Sequence, residues 1–152
     1  MKKHLLLFAF SALILNSCKD DDVWGYELEL LKGDWKTEKT EIISGADLTT
    51  ALDTQLPTTC SKLDLMNFRT DMAIKTFTYT PSGTACAKTE TKGTYTYNAD
   101  TKDMVINFEN DKARPYKVII LSSSELKLKQ MYDNIDINGD MVIDTTYISY
   151  KR

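Results

Sequence analysis

The chain has 152 residues, 22 acidic against 19 basic side chains and a formal charge of −3, a length that suits one domain. No basic stretch carries interleaved aromatics, so the electrostatic footprint of a nucleic-acid binder is absent. The one histidine, His4, lies in a segment expected to be removed, which excludes Ser-His and Cys-His nucleophile systems and His-ligated zinc or copper from the mature chain.

Lys2 and Lys3 form a short positive start, and Leu5 to Leu15 is an apolar run broken only by Ser11. A bilayer span needs about 20 residues, so the run is too short to cross and fits the apolar region of a secretory signal. It ends in Leu15-Asn16-Ser17-Cys18, which resembles the bacterial lipobox. The resemblance implies cleavage after residue 17 and acylation of Cys18, whose lipid then anchors the chain. Lys19-Asp20-Asp21-Asp22 follows. Such a charge run reads as a solvated linker, and like charge holds it off an anionic membrane surface. It is also similar to the acidic run behind the lipidated cysteine in surface-exposed lipoproteins of Bacteroidetes. That similarity implies an outer-membrane lipoprotein exposed at the cell surface, with the periplasmic face as the alternative. Residues 18–29 are therefore read as lipidated cysteine and acidic tether. Loss of Lys2 and Lys3 leaves 17 basic against 22 acidic residues, a formal charge of −5.

Trp24, Leu28 and Leu31 stand at helical spacing before Gly33, predicting a helix of one to two turns over Val23 to Lys32. Strand signals follow. Trp35 to Ile43 is the first strand. Ser44 to Thr59 is a polar, Thr-rich connection too long for a hairpin, with a short helix possible around Leu48, Ala51 and Leu52. Leu63 to Phe68 and Met72 to Thr80 are joined by a turn at Arg69-Thr70-Asp71. Pro81-Ser82-Gly83 turns the chain into Lys88 to Tyr97. Met104, Ile106 and Phe108 alternate with polar neighbours. Tyr116 to Leu121 is nearly all apolar, which reads as a strand buried on both faces or central. Leu126, Leu128, Gln130 and Tyr132 alternate, and Met141 to Tyr150 is the last strand. Eight strands with mostly short turns argue for antiparallel neighbours in a sandwich or a barrel.

Cys60 and Cys86 remain once Cys18 is lipidated. In an oxidising compartment the default is one disulfide between them; a reactive thiol pair is the alternative. Asn134, Asp136, Asn138 and Asp140 place oxygens at every second residue, as at the start of a calcium loop. The pattern fails at its ends, where Asn134 stands first and Thr145 twelfth. Asn138-Gly139 reads better as a tight hairpin turn between Ile135-Ile137 and Met141-Ile143. No metal and no cofactor are expected, and the calcium loop is kept only as a weak candidate.

Leu31-Lys32-Gly33-Asp34-Trp35 precedes the first strand, Phe68-Arg69-Thr70-Asp71 tips a strand pair bracketed by Cys60 and Cys86, and a Tyr-rich strand closes on Lys151-Arg152. Together these resemble the lipocalin-like domains of Bacteroidetes lipoproteins. The resemblance covers residues 30–152. It implies an all-β domain, a single eight-stranded antiparallel up-and-down barrel with a short N-terminal helix. It further implies that Gly33 and Trp35 plug one end, with Arg152 or Lys151 packed over the indole. An eight-stranded barrel either fills with side chains or holds one small ligand. Tyr95, Tyr97, Phe108, Tyr116 and Tyr132 are the candidate liners. The expected function is a lipid-anchored binding module for a small apolar or amphipathic molecule. The alternative is a packed accessory domain that presents a surface to a partner protein. Without histidine the remaining catalytic option is a carboxylate pair, and no enzyme activity is expected.

Overall fold

The computed structural model describes residues 20–132 and 134–152; the expected signal segment, residues 1–17, and Cys18 lie outside them. One helix, α1 (Asp20–Leu31), leads into nine strands: β1 (Gly33–Ile43), β2 (Ala51–Gln55), β3 (Leu65–Phe68), β4 (Ala73–Ser82), β5 (Ala85–Tyr97), β6 (Asp103–Phe108), β7 (Arg114–Leu121), β8 (Glu125–Gln130) and β9 (Thr145–Lys151). A single 3-10 turn, Ser61–Leu63, precedes β3. From β3 to β9 each strand pairs antiparallel with the next, and β9 returns to β1 over Lys36 to Ile43. The other edge of β1 is divided. Its first residues, Gly33 to Lys36, pair with β3, and its last, Thr40 to Ile43, pair with β2. Eight strands thus close a barrel, and β2 lies as a ninth strand along its wall. Closure removes the unpaired edges that an open sheet would expose.

Inward and outward side chains alternate along the strands. The inward set packs the core: Trp35, Phe68, Ile74, Tyr95, Met104, Ile106, Leu126 and Leu128 are almost fully buried, and Leu28 and Leu31 of α1 join them. The helix is longer than the sequence reading placed it. Of its predicted stripe, Leu28 and Leu31 are buried, whereas Trp24 stays half exposed and donates its indole N–H to the Tyr97 carbonyl at 3.4 Å.

Three expectations are corrected. The connection after β1 holds a strand, not a helix. The Asp47 carboxylate accepts the N–H groups of Thr49 and Thr50 at 2.8 Å each, which turns the chain back so that β2 pairs with β1. Side-chain capping of this kind makes turns rather than helix interiors. The strand from Tyr116 is not buried on both faces: a register shift between Val118 and Ile120 leaves Ile119 and Ile120 exposed. The last strand starts at Thr145, and no tight hairpin forms at Asn138-Gly139. There Asp136 accepts the N–H groups of Gly139 and Met141, and Asp140 accepts that of Val142. These carboxylates take donors that a strand ladder would have used, and only an isolated bridge, Ile135 with Asp144, remains of the expected pairing.

Candidate functional site

The alternating strand directions give the barrel two unlike ends. At one end lie α1, the turns after β3, β5 and β7, and the C-terminus. Gly33 follows the helix with φ +112°, a conformation that only glycine adopts without strain. It swings the chain so that the Trp35 indole N–H donates to the Leu31 carbonyl at 2.7 Å. Arg152 covers the indole from outside. Its guanidinium carbon is 4.0 Å from the ring centroid, and its N–H groups donate to the carbonyls of Lys32, at 3.0 Å, and Leu30. Tyr95 meets Phe68 edge to face at 5.0 Å and donates to the Arg69 carbonyl at 2.7 Å. Burial pushes its hydroxyl up to about 12. The Tyr97 hydroxyl donates to the Glu27 carboxylate, which also receives the Lys102 ammonium at 2.6 Å. This end is plugged, and the sequence candidates Gly33, Trp35 and Arg152 are joined in it. Tyr95 and Tyr97, named as candidate liners, belong to the same plug, with their hydroxyls engaged by the chain's own groups.

At the other end lie the loops of residues 44–50, 109–113 and 131–144. Register with the buried rows identifies the inward positions there. Thr40 and Ile148 continue the row of Leu128 and Val118, and Met66, Thr76 and Thr91 continue the row of Trp35. All of these except Val118, Leu128 and Trp35 remain partly exposed. Phe108, also inward, is partly exposed and packs on the core. Tyr116 is buried and meets Tyr132 edge to face at 5.6 Å, with their hydroxyl oxygens 3.2 Å apart. Burial, with the Tyr132 hydroxyl bond next, raises the Tyr116 phenol well above its ordinary range. Arg114 pairs in register with the buried Ile106 and so shares the inward side of β7 with Tyr116. Its guanidinium carbon is 5.6 Å from the Phe108 centroid, and it forms an ion pair with Asp111. Of the five candidate liners, then, Phe108, Tyr116 and Tyr132 are at the open half. Arg114 was missed. Its signal was present, since Arg114 stands two residues before Tyr116 and a period of two puts both on one face.

The rim of the open end is apolar. Leu48, Ile137, Val142 and Ile143 are exposed, and Met141 is 93% exposed. Asp144 is buried beneath this loop, where its carboxylate accepts the N–H groups of Gly45 at 3.1 Å and Ile137 at 2.7 Å. Among the described residues no group of three or more His, Cys, Asp or Glu side chains is arranged to hold a metal. Of the weak calcium candidates, Asn134 is exposed, the Asp136 carboxylate receives two backbone donors, and Asn138 and Asp140 bond each other at 2.9 Å.

Cys60 and Cys86 form a disulfide with their Cα atoms 5.6 Å apart. It ties the outer part of the β4–β5 hairpin to the turn before β3, beside the bond from the Tyr79 N–H to the Asp64 carboxylate at 2.7 Å. Open depressions border the wall. One of about 350 Å³ is lined by Ala73 to Lys75, Lys92 to Thr94 and Asn107 to Glu109. One of about 480 Å³ is lined by Glu90 to Lys92, Glu109 and Asn110. Another, of about 160 Å³, lies where β1 passes from β3 to β2 and is lined by Thr37, Thr40, Gln55, Leu56, Pro57, Ser61 and Asp64. No described helix is long and apolar enough to cross a membrane.

The family model described as a lipocalin-like domain matches residues 31–128. Among solved structures, a bovine lipocalin allergen is 12% identical over 82% of this chain and 74% of its own, with a TM-score of 0.44. A deswapped triple mutant of bovine odorant binding protein is 13% identical over 81% and 74%, with a TM-score of 0.40. Aphrodisin, a sex pheromone from female hamster, is 13% identical over 80% and 74%, with a TM-score of 0.40. No curated protein matches the chain.

Proposed function

The chain belongs to the lipocalin-like domain family, and from that premise we propose that it is a binding protein, not an enzyme, that takes a small amphipathic molecule through the open end of its barrel. One observation carries this reading. Most inward side chains of one half are packed and plugged, with Met72 and Leu121 partly exposed at its edge, whereas those of the other half, Met66, Phe108 and Ile148 among them, still meet solvent beside the inward threonines. Apolar side chains left wet inside a barrel gain free energy when a ligand displaces that water. Threonines 40, 76 and 91 among them supply hydroxyls, which favours an amphipathic over a purely apolar guest. The test is displacement of a neutral apolar fluorophore, with native mass spectrometry for molecules that co-purify. Wild type should bind the fluorophore, and Ile148→Trp, which fills the interior above Leu128, should abolish binding while the chain stays folded. A wild-type protein that binds no fluorophore overturns the reading.

The anchor is part of the same reading. Cys18 carries the lipid of an outer-membrane lipoprotein at the cell surface, and α1 begins two residues later. Trp24, Glu27, Leu28 and Leu31 hold α1 against the plugged end, so an anchored barrel would turn its open end away from its own membrane. Cys18→Ala should release the folded protein from the membrane fraction; persistent membrane association would reveal a second attachment. The exposed apolar loop of Ile137, Met141 and Ile143 favours one further reading, an accessory surface for a partner protein. A barrel that takes no ligand but captures a partner through this loop would decide for it.

A further inference from the structure

We propose that the outer edge of β5 docks a second copy of this chain, which pairs with it antiparallel about Thr89. Beyond the barrel wall β4 and β5 form a two-stranded ribbon, because β6 pairs with β5 only from Gly93 on and β3 pairs with β4 only as far as Phe77. Two bonds at the root of the ribbon fix which way its backbone groups point. The Tyr95 N–H donates to the Met72 carbonyl at 2.9 Å, and the Glu109 N–H donates to the Lys92 carbonyl at 3.0 Å. Bonding groups alternate sides along a strand. Those of Cys86, Lys88 and Glu90 therefore point away from β4, toward the side where β6 is no longer paired.

The two edges of the ribbon differ. Along β4 the outward donors are engaged or missing: Tyr79 gives its N–H to the Asp64 carboxylate at 2.7 Å, and Pro81 has none to give. Along β5, among the described residues, no strand pairs with Cys86 to Glu90 on the outer side. Lys88, Thr89 and Glu90 are exposed, and the depression lined by Glu90 to Lys92, Glu109 and Asn110 leaves room beside the root. An edge of that kind is a template for another strand.

Charge selects the occupant. A copy turned about a two-fold axis through Thr89 sets Lys88 opposite the copy's Glu90, and Glu90 opposite the copy's Lys88. Both residues point their backbone groups outward, so each such pair exchanges an N–H and a carbonyl in both directions. Opposite charges facing across strands favour pairing, and like charges oppose it. Glu90 holds Lys75 at 3.3 Å with 39% and 40% of the two side chains exposed, and Lys88 lies over the Phe77 ring at 3.9 Å. Contacts this wet leave both charges able to reach a neighbour. Pairing joins the two ribbons into one four-stranded sheet, which is stable where a two-stranded ribbon is marginal. The rotation reverses the barrel axis, so the two open ends face each other across the shared sheet and the two α1 helices stand at opposite poles.

The test is sedimentation velocity of the Cys18→Ala protein, so that no lipid drives association, between about 10 μM and 1 mM, since a contact this small gives a weaker dimer than a standard-size interface. The Cys18→Ala protein should pass from monomer to dimer across that range. Lys88→Glu and Glu90→Lys, each added to it, should weaken association at least about tenfold, because each sets like charges opposite each other twice. An equimolar mixture of the two variants should dimerise within about threefold of the unmutated edge, since one brings two acids and the other two lysines. That recovery also shows that both variants fold. The Lys88 and Glu90 amides should exchange more slowly as concentration rises. A monomer at every concentration overturns the proposal. So does a dimer that survives both substitutions, a mixture that stays monomeric, or a dimer in which those two amides exchange as in the monomer.

Discussion

Trp35 joins three separate parts of the chain. Its indole N–H ends on the Leu31 carbonyl of the helix, its ring carries Arg152 from the C-terminus, and its backbone pairs with Met66 of β3. It is fully buried. Trp35→Ala should therefore destabilise the protein by about 3 to 5 kcal/mol, the range for removing a buried aromatic, out of a total of about 5 to 15 kcal/mol for a typical domain. The folded fraction should keep its affinity for an apolar fluorophore, because the plug lies at the end opposite the exposed interior. Urea denaturation with and without the fluorophore reads both quantities. A mutant as stable as wild type would contradict the burial, and loss of the fluorophore from folded mutant would place the site at the wrong end. Gly33-x-Trp35 and Arg152 were legible as a pair only through family resemblance, since no local rule links residues this far apart.

At the scale of elements, the β4–β5 hairpin depends most on a crosslink. β4 pairs with β3 only over Ile74 to Phe77, and β5 with β6 only over Gly93 to Tyr97. The remaining length is a two-stranded ribbon, and an isolated ribbon is marginal in water. Cys60–Cys86, with a sequence separation of 26, fastens it to the turn before β3. Replacing both cysteines by serine should cost about 3 to 4 kcal/mol by loop-closure entropy. The amides of Thr78, Tyr79, Thr80 and Ser82 should lose hydrogen-exchange protection before those of the barrel core. Uniform protection across β4 in the double mutant would show that the ribbon holds without its clamp. Thiol labelling of the unreduced, unfolded chain adds a direct check, because neither cysteine should react. Gly93 sets the inner limit of the same hairpin. A Cβ there would stand 2.3 Å from the Asn107 carbonyl oxygen, so the close approach of β5 to β6 requires glycine. The alternation of these strands was legible residue by residue; the ribbon was not, because strand length says nothing about where a neighbour ends.

For the molecule as a whole, the buried tyrosines set an alkaline limit. Burial first of all raises the hydroxyls of Tyr95, Tyr97, Tyr116 and Tyr150, that of Tyr95 to about 12. An unfolded tyrosine loses its proton near pH 10. Above that pH the unfolded chain releases protons that the folded barrel retains, so stability is intact below about pH 10 and falls as pH rises through the folded values. An absorbance titration of the phenolates, followed together with circular dichroism, should show these four of the eight tyrosines ionising in one cooperative step as the sheet signal is lost. Stepwise ionisation near pH 10 with the sheet signal unchanged would mean that the barrel interior admits base.

The order of strands, their alternation and the helix stop at Gly33 were determined by the sequence alone, because each rests on neighbours within a few residues, where backbone sterics and the period of two act directly. Strand count and short turns pointed, for the same reason, to antiparallel neighbours in a sandwich or a barrel; the choice of a closed barrel came from the family resemblance. Tertiary structure alone decided three other matters. It gave β2 its partner, since Ala51–Gln55 has little intrinsic strand character and pairs because the outer half of the β1 edge is free. It withheld the expected hairpin at Asn138-Gly139, where the Asp136 and Asp140 carboxylates capture the donors first. And it divided the inward tyrosines between a plug and an open half, placing Arg114 with the latter. Equal spacing along a strand puts residues on one face, but the tilt of strands in a closed barrel decides how deep each one lies, and that tilt is a property of all eight strands together.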